Sequence, residues 1–336
     1  MKKIFIPFLF LLLFSCTHKG SKSKDIETIE VKPITITDSV MTNFPGSLLL
    51  TGNYLVWEDP FNSSAFIKVV DIHTGKQVAQ TGEVGQGPKE FVTPSVDLVN
   101  TDKIGVTDLN RNKRAVLDID KLIRRQNPFT YYRKGGLKGA TRYIEFEPNK
   151  FIGLYPKEQM LYKVIDKNKA YAFGKFPIDG YPDAIDRANF FQGSLAYNRK
   201  NEKLIYCPFD FPYIITYKKN GSVFKQDKIL KIFDVKYEYV NGKIKFKNRI
   251  VLIGELALTK DYIVVARPKE FKKDIDINTG MQKRPHTLYL YDYELNLVKI
   301  IDIKVPIIRL AGNEKSNIVY AIVTNPEYSI VKIELP

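Results

Sequence analysis

Two cysteines and three histidines in 336 residues leave little material for thiolate, disulfide or imidazole chemistry. His18, His73 and His286 share no ligand spacing, so a zinc site built on histidines is not expected. The only long apolar run, Ile4 to Phe14, is interrupted by Pro7 and falls short of the about 20 residues that span a bilayer. No nucleophile, base and orienting acid form a legible catalytic set. Core material is not lacking, since the chain is 44% hydrophobic and 12% aromatic. Its excess of 52 basic over 37 acidic side chains, a net charge of +15, is therefore a property of the surface and not a sign of disorder.

The N-terminal run follows Lys2 and Lys3, the arrangement of a signal peptide. It ends in Leu13-Phe14-Ser15-Cys16, which resembles the bacterial lipobox. The expectation is removal of residues 1–15, lipidation of Cys16 and a polar tether over 16–26, in which Thr17 to Lys24 offers no apolar side chain to bury. An ordinary secretory leader with an incidental Cys is the alternative, and the position directly behind the apolar run argues against it. With Cys16 committed to lipid, Cys207 has no disulfide partner. Its place in Leu204-Ile205-Tyr206-Cys207 reads as a small core residue and not as a nucleophile. A basic surface in a cell envelope suits acidic or phosphorylated glycans, anionic headgroups or acidic proteins, or serves only solubility. Nucleic acid is not expected as a partner, because export separates the chain from it.

A period near 50 residues sets the fold over 27–336. A polar or turn pair followed by an apolar strand recurs at Asn53 to Trp57, Asp102 to Val106, Asn149 to Gly153, Glu202 to Tyr206, Asp261 to Val265 and Ser316 to Tyr320. Short strands precede these, as in Ser47 to Leu50, Ser95 to Leu98, Gly193 to Ala196 and Gly254 to Leu258. Others follow, as in Ile67 to Asp71, Ala115 to Asp118, Tyr213 to Tyr217 and Leu288 to Asp292. A fourth returns after the turn, as in Gln77 to Gln80 and Ser222 to Lys225. Four antiparallel strands repeated six times predict an all-β, six-bladed β-propeller with four-stranded blades. A duplicated β-sandwich would not generate six evenly spaced units, and a helical solenoid fails on residue type.

The sixth unit runs out at Leu335 after three strands. The N-terminal segment Thr28 to Lys32, which alternates polar and apolar residues, is expected to complete it and so remove an exposed edge. Two insertions interrupt the fifth unit without breaking the beat: a hairpin at Asn241-Gly242 within 231–249, and a charged stretch from Lys269 to His286.

In such a ring the loops between second and third strands share a face with the links between blades. That face would collect Trp57, Glu58 and Asp59, Asp108 and Arg111, Tyr155 and Lys157, Phe209 and Asp210, Arg267 and Lys269, and Asn325, Glu327 and Tyr328. The candidate ligand-binding residues among them are Trp57, Asp59, Asp108, Arg111, Tyr155, Asp210, Arg267 and Tyr328. Rings and charges in this mixture suit a polar ligand such as a glycan or extended peptide. Ordinary solvated loops would look much the same. Asp59, Asp108 and Asp210 keep open a second reading, a glycan lyase or hydrolase, which needs two carboxyl groups within roughly 5 to 10 Å.

The sharpest motif is Gly85-Gln86-Gly87-Pro88-Lys89-Glu90-Phe91, between the first and second units. It lacks the helix start and Lys-Ser/Thr of a phosphate loop. Its glycines are expected to allow positive φ in a tight link, with Phe91 plugging between sheets. Together with the lipobox and the six repeats, this motif resembles the TolB-like six-bladed propeller lipoproteins of Bacteroidetes, over about Ile29 to Leu335. The resemblance implies a six-bladed propeller in the cell envelope, and the expected anchor is at the outer membrane. It transfers no catalytic residue and no cofactor. The ring architecture and the lack of a catalytic set make a module that binds or scaffolds an envelope protein, peptide or glycan the first expectation. Thr17, His18 and Lys19 after the lipidated Cys, in place of acidic residues, imply a periplasm-facing anchor. The chain is expected to act as a monomer.

Overall fold

The computed structural model describes residues 26–100, 102–132, 138–166, 169–178, 180, 183–241, 243–247, 254–268 and 284–336. The leader, Cys16, nearly all of the tether and most of the charged insertion after Lys269 lie outside the described residues. Among the described residues no helix is long and apolar enough to cross a membrane.

Six blade sheets, five of four strands and one of five, follow one another along the chain. Blade 1 consists of Leu48–Thr51, Tyr54–Glu58, Ile67–Asp71 and Gln77–Thr81, and blade 2 of Pro94–Asn100, Lys103–Asp108, Lys113–Asp118 and Phe129–Tyr132. Blade 3 is Arg142–Glu147, Lys150–Leu154, Tyr162–Asp166 and Lys169–Phe173. Blade 4 is Gly193–Asn198, Lys203–Pro208, Tyr213–Asn220 and Val223–Lys231. Glu255–Leu258, Ile263–Ala266, Thr287–Tyr291 and Leu297–Asp302 form blade 5, and Ile307–Gly312, Ile318–Thr324 and Tyr328–Glu334 the first three strands of blade 6. The first strand of each blade touches that of the next, and blade 6 returns to blade 1, so these strands line a common axis. Second and third strands are covered on both faces by neighbouring blades. That is why Lys203–Pro208 is buried throughout, and Leu204 to Pro208 reads as a continuous apolar run with no alternation.

The N-terminal chain closes the last blade. The strand that does so is Ile34–Thr37, antiparallel to Tyr328–Glu334 with Ile34 opposite Lys332 and Thr37 opposite Ile330. Thr28–Glu30, from the segment expected in that place, lies instead parallel to Leu297–Asp302 as a fifth strand on blade 5, Ile29 opposite Ile301. Pro33 stands between the two strands. Lacking an N–H it breaks the ladder there, and the chain steps from one blade to the next. Closure also constrains blade 1: Gly75 has φ 68°, and a Cβ there would lie 2.1 Å from the Ile36 carbonyl oxygen.

Five of the six seams between blades are apolar. Phe66, Phe91 and Ile104 meet between blades 1 and 2, and Tyr162, Phe173 and Tyr217 between blades 3 and 4. Further clusters join blades 4 to 5, 5 to 6 and 6 to 1. Cys207 belongs to the seam of blades 4 and 5, and burial pushes its thiol up to about 12, as befits a core residue.

The seam between blades 2 and 3 is built differently. Arg114 donates to Asp97 Oδ1 at 2.8 Å, to Thr107 Oγ1 at 3.0 Å and across the seam to Glu145 Oε2 at 2.9 Å. The three charged side chains are 4%, 6% and 8% exposed. Phe151 presents its ring 4.7 Å from the guanidinium carbon. Gly105 makes room, since a Cβ there would stand 2.2 Å from Asp97 Oδ1 and 2.4 Å from Arg114 Nη2.

The hairpin in the fifth unit is present as Tyr237–Val240 paired with Lys243–Phe246. It packs on the link before blade 4, where Ile244 N–H donates to Asp186 Oδ2 of the short helix Ala184–Phe190 at 2.6 Å. At the end of the axis away from the inter-blade links, the Arg199 guanidinium donates to the carbonyls of Val99 at 2.9 Å and Glu145 at 3.0 Å. Glu314 accepts from the backbone of Arg199 and Lys200. These bonds join blade 4 to blades 2 and 6, which are not its neighbours, so they cross the ring.

Two outcomes are expected in denaturant titrations. Removing residues up to Lys32 takes away only the added strand on blade 5, whereas removing residues up to Thr37 opens blade 6; the second truncation should lower the midpoint far more than the first. Arg114→Ala leaves two carboxylates buried without their partner and should cost about 3–5 kcal/mol; a loss under about 1 kcal/mol, the range of exposed pairs, would contradict the buried triad.

Candidate functional site

The residues picked out by sequence sit on one face, and several of them hold that face together. Asp108 is fully buried and accepts from the N–H groups of Val92 at 2.6 Å and Arg111 at 3.1 Å. Arg111 donates to the carbonyls of Gln86 and Gly87, and Lys113 to those of Pro88 and Glu90. The Gly-Gln-Gly-Pro link is thus clasped from the neighbouring loop. Its glycines do not adopt positive φ. They are small because the Glu90 carboxylate folds over the link, accepting from Gly87 N–H at 2.7 Å, and a Cβ on Gly85 would lie 2.1 Å from it. Phe91 is fully buried edge-on to Phe66, the plug expected of it, a burial that contributes roughly 1.5–3 kcal/mol.

Asp59, Tyr155, Arg267 and Asn325 each follow a second strand directly, and the backbone N–H of each closes its loop. Asp59 also accepts from Thr42 Oγ1 at 2.7 Å. Tyr155 lies under Lys163, whose ammonium is 4.7 Å from the ring, and Arg267 stacks 3.4 Å above Tyr289. Asp210 is buried near the Tyr206 hydroxyl, and Trp57 sits in the seam between blades 6 and 1. Asp108 and Arg111 meet within one loop of blade 2, and Asp59 reaches Thr42 in the segment before blade 1. Among the described residues no three His, Cys, Asp or Glu side chains gather as a metal site.

A second constellation surrounds the axis on this face. Residues 38–47, between the closing strand and blade 1, deliver Asn43, Phe44, Gly46 and Ser47 to it. Glu58, at the end of a second strand, accepts from Ser47 N–H at 3.2 Å, and Gly46 is required because a Cβ would meet Glu58 Oε2 at 2.7 Å. Arg309, at the head of blade 6, donates through Nε to the Gly46 carbonyl at 2.6 Å and through Nη1 to Glu255 Oε1 at 3.0 Å. Its guanidinium and that of Arg284 lie 5.1 and 5.2 Å from the centre of the Phe44 ring. Tyr328 donates to the Asn43 carbonyl at 3.2 Å, so it is the sequence-selected residue that reaches this cluster. Arg142, the first residue of blade 3, is exposed, its guanidinium 6.0 Å from the Phe209 ring.

Burial dominates the carboxyl groups here. It raises Glu255 above its ordinary 4.5 against the pull of Arg309, Arg142 and Arg284, and raises Glu58 against Ser47, Arg142 and Arg309. Burial and the neighbouring Arg309 lower Arg284. Three guanidiniums therefore face two carboxyl groups that are themselves biased toward the neutral form. Sequence reasoning passed over Arg142, Glu255, Arg284, Arg309 and Phe44. A signal was present for two of them: Glu255 opens an apolar strand and Arg309 interrupts Ile307-Ile308-Leu310, and a charge inside such a strand needs a reason.

The fold and the axial site define a six-bladed β-propeller. No protein-family model matches the chain, and no curated protein does. Among solved structures it is similar to a member of the DUF4221 family from Bacteroides vulgatus, at 12% identity and TM-score 0.62 over 92% of this chain and 97% of that one. A Bacteroides fragilis protein described as exported matches at 14% identity and TM-score 0.59, over 91% and 97%. The calcium-binding regucalcin of Agrobacterium tumefaciens matches at 8% and 0.52, over 93% and 98%. At these identities the likeness is one of fold.

A carboxyl raised above its unfolded pKa favours the folded state while protonated. That contribution is complete below about 4.5 and is lost as the pH rises through the folded value. Glu255→Gln stays neutral throughout. The variant should gain thermal midpoint relative to the parent protein as the pH rises from about 4.5 to 7; a difference that stays flat or moves the other way would show that the pairing with Arg309 outweighs burial.

Proposed function

We propose that this chain is a lipid-anchored binding or scaffolding propeller of the cell envelope, engaging an envelope protein, peptide or glycan through the face of the inter-blade links. One observation carries the reading: this face combines exposed apolar side chains with guanidiniums at its centre. Met41 is 87% exposed, and Phe61, Val92 and Ile185 also stand out from loops or links of that face. The apolar groups offer contact area and the arginines orientation, the two components of a recognition surface. The leader and the lipobox ending in Cys16 supply the envelope location and the anchor. The glycan-cleaving alternative has less to draw on, because Asp59 and Asp108 use their carboxylate oxygens to hold loops.

Immobilised protein incubated with envelope extract should retain a specific protein or glycan. Met41→Asp combined with Phe61→Asp should abolish that retention, while Val78→Asp on an outer strand should not. Retention of nothing specific, or equal loss in both variants, would refute the binding face.

A further inference from the structure

We infer that the axial mouth holds an oxyanion, the terminal carboxylate, sulfate or phosphate of a ligand, between Arg142 and Arg284 above Arg309. The inference rests on the reading of this face as a binding surface and adds the chemistry of its centre.

The three arginines come from blades 3, 5 and 6, and only the ring brings them together. They differ in how far their donors are used. Arg309 is committed: its Nε and Nη1 serve the carbonyls of Gly46 and Ile308 and the carboxylate of Glu255. It forms a fixed floor. Arg284, half-buried beside Phe44, and Arg142, exposed beside Phe209, have no carboxylate within ion-pair distance among the described residues. A guanidinium carries five N–H donors in a planar fork matched to carboxylate, sulfate and phosphate. Gathering three such groups where, among the described residues, the one direct ion pair is that of Arg309 with Glu255 costs free energy in the empty protein, and an oxyanion removes that cost.

Two features favour a bound group over a passing chain. Aromatic rings brace the guanidiniums, Phe44 beside Arg284 and Arg309 and Phe209 beside Arg142, which limits the ordering needed on binding. The far end of the axis is crossed by the bonds of Arg199 and Glu314, which stand in the way of a chain threading the ring.

The test is calorimetric titration of the folded protein with inorganic phosphate, sulfate and galacturonate at low ionic strength. At least one should bind, and which one does so separates a phosphate or sulfate source from a carboxylate source. Arg142→Gln and Arg284→Gln should each weaken that binding about tenfold, the loss of one charge-assisted hydrogen bond. Glu255→Gln should strengthen it by removing the competing acid. Lys225→Gln, an exposed cation on the outer strand of blade 4, should leave it unchanged. Should Arg284→Gln fail to fold, the exposed Arg142→Gln still decides the matter. Failure of all three probes to bind, or equal weakening by Lys225→Gln, overturns the oxyanion site; if the extract still yields a partner that depends on Met41 and Phe61, the binding face stands without it.

Discussion

The hydrogen-bonded pairing of Ile34–Thr37 with Tyr328–Glu334 is the constraint on which the rest of the molecule depends. A propeller blade is buried on both faces, so every blade needs two neighbours, and a ring with one unfinished sheet would leave an open edge. The pairing does more than close the ring. It fixes where residues 38–47 leave the last blade, and that segment carries Phe44 between two guanidiniums and Gly46 beneath Arg309. The architecture and the axial cluster therefore share one cause. Pro33 lets the chain cover blades 5 and 6 in turn, so the joint is held on two sheets instead of one.

The seams show how such a ring divides its labour between apolar and ionic contacts. Five are ordinary hydrophobic clusters, forgiving of small changes in volume. The seam of blades 2 and 3 is directional: Arg114 must meet Asp97 within its own blade and Glu145 on the next, and Gly105 must stay small for the pair to approach. A buried ion triad is seldom more stabilising than well-packed apolar side chains of the same volume. Its effect is on register, because charges placed one residue out of step would be buried unpaired.

The fold was legible because the repeat left its beat in the chain. Strands covered on both faces must be apolar along their whole length, and turns must be polar, so each unit of blade structure reads as the same phrase. Closure was legible too, as a deficit of one strand, but its position was not. Thr28 to Lys32 alternates more cleanly than Ile34–Thr37, and alternation reports a half-buried strand without saying which sheet it joins. The site was less legible for a related reason. Asp108, Arg111 and Asp59 were found because polar loop residues attract notice, yet these side chains hold loops and links in place. Arg142, Arg284 and Arg309 lie in separate units, 142 and 25 residues apart along the chain, and nothing local marks that they converge.

That convergence decides what the basic character of the chain means. A net charge of +15 spread over a surface would favour any acidic partner weakly and lose its effect with salt. At the mouth the situation differs, because Glu58 and Glu255 are held toward neutrality by the same burial that keeps Arg284 from full hydration. A cation excess in a partly desolvated recess is felt at close range and in a fixed direction, and it is screened far less than charge on an open surface. In the proposed site, steering by the whole molecule and selection at its centre would act in sequence: the surface would raise the local concentration of anionic ligands, and the braced guanidiniums would discriminate among them by geometry.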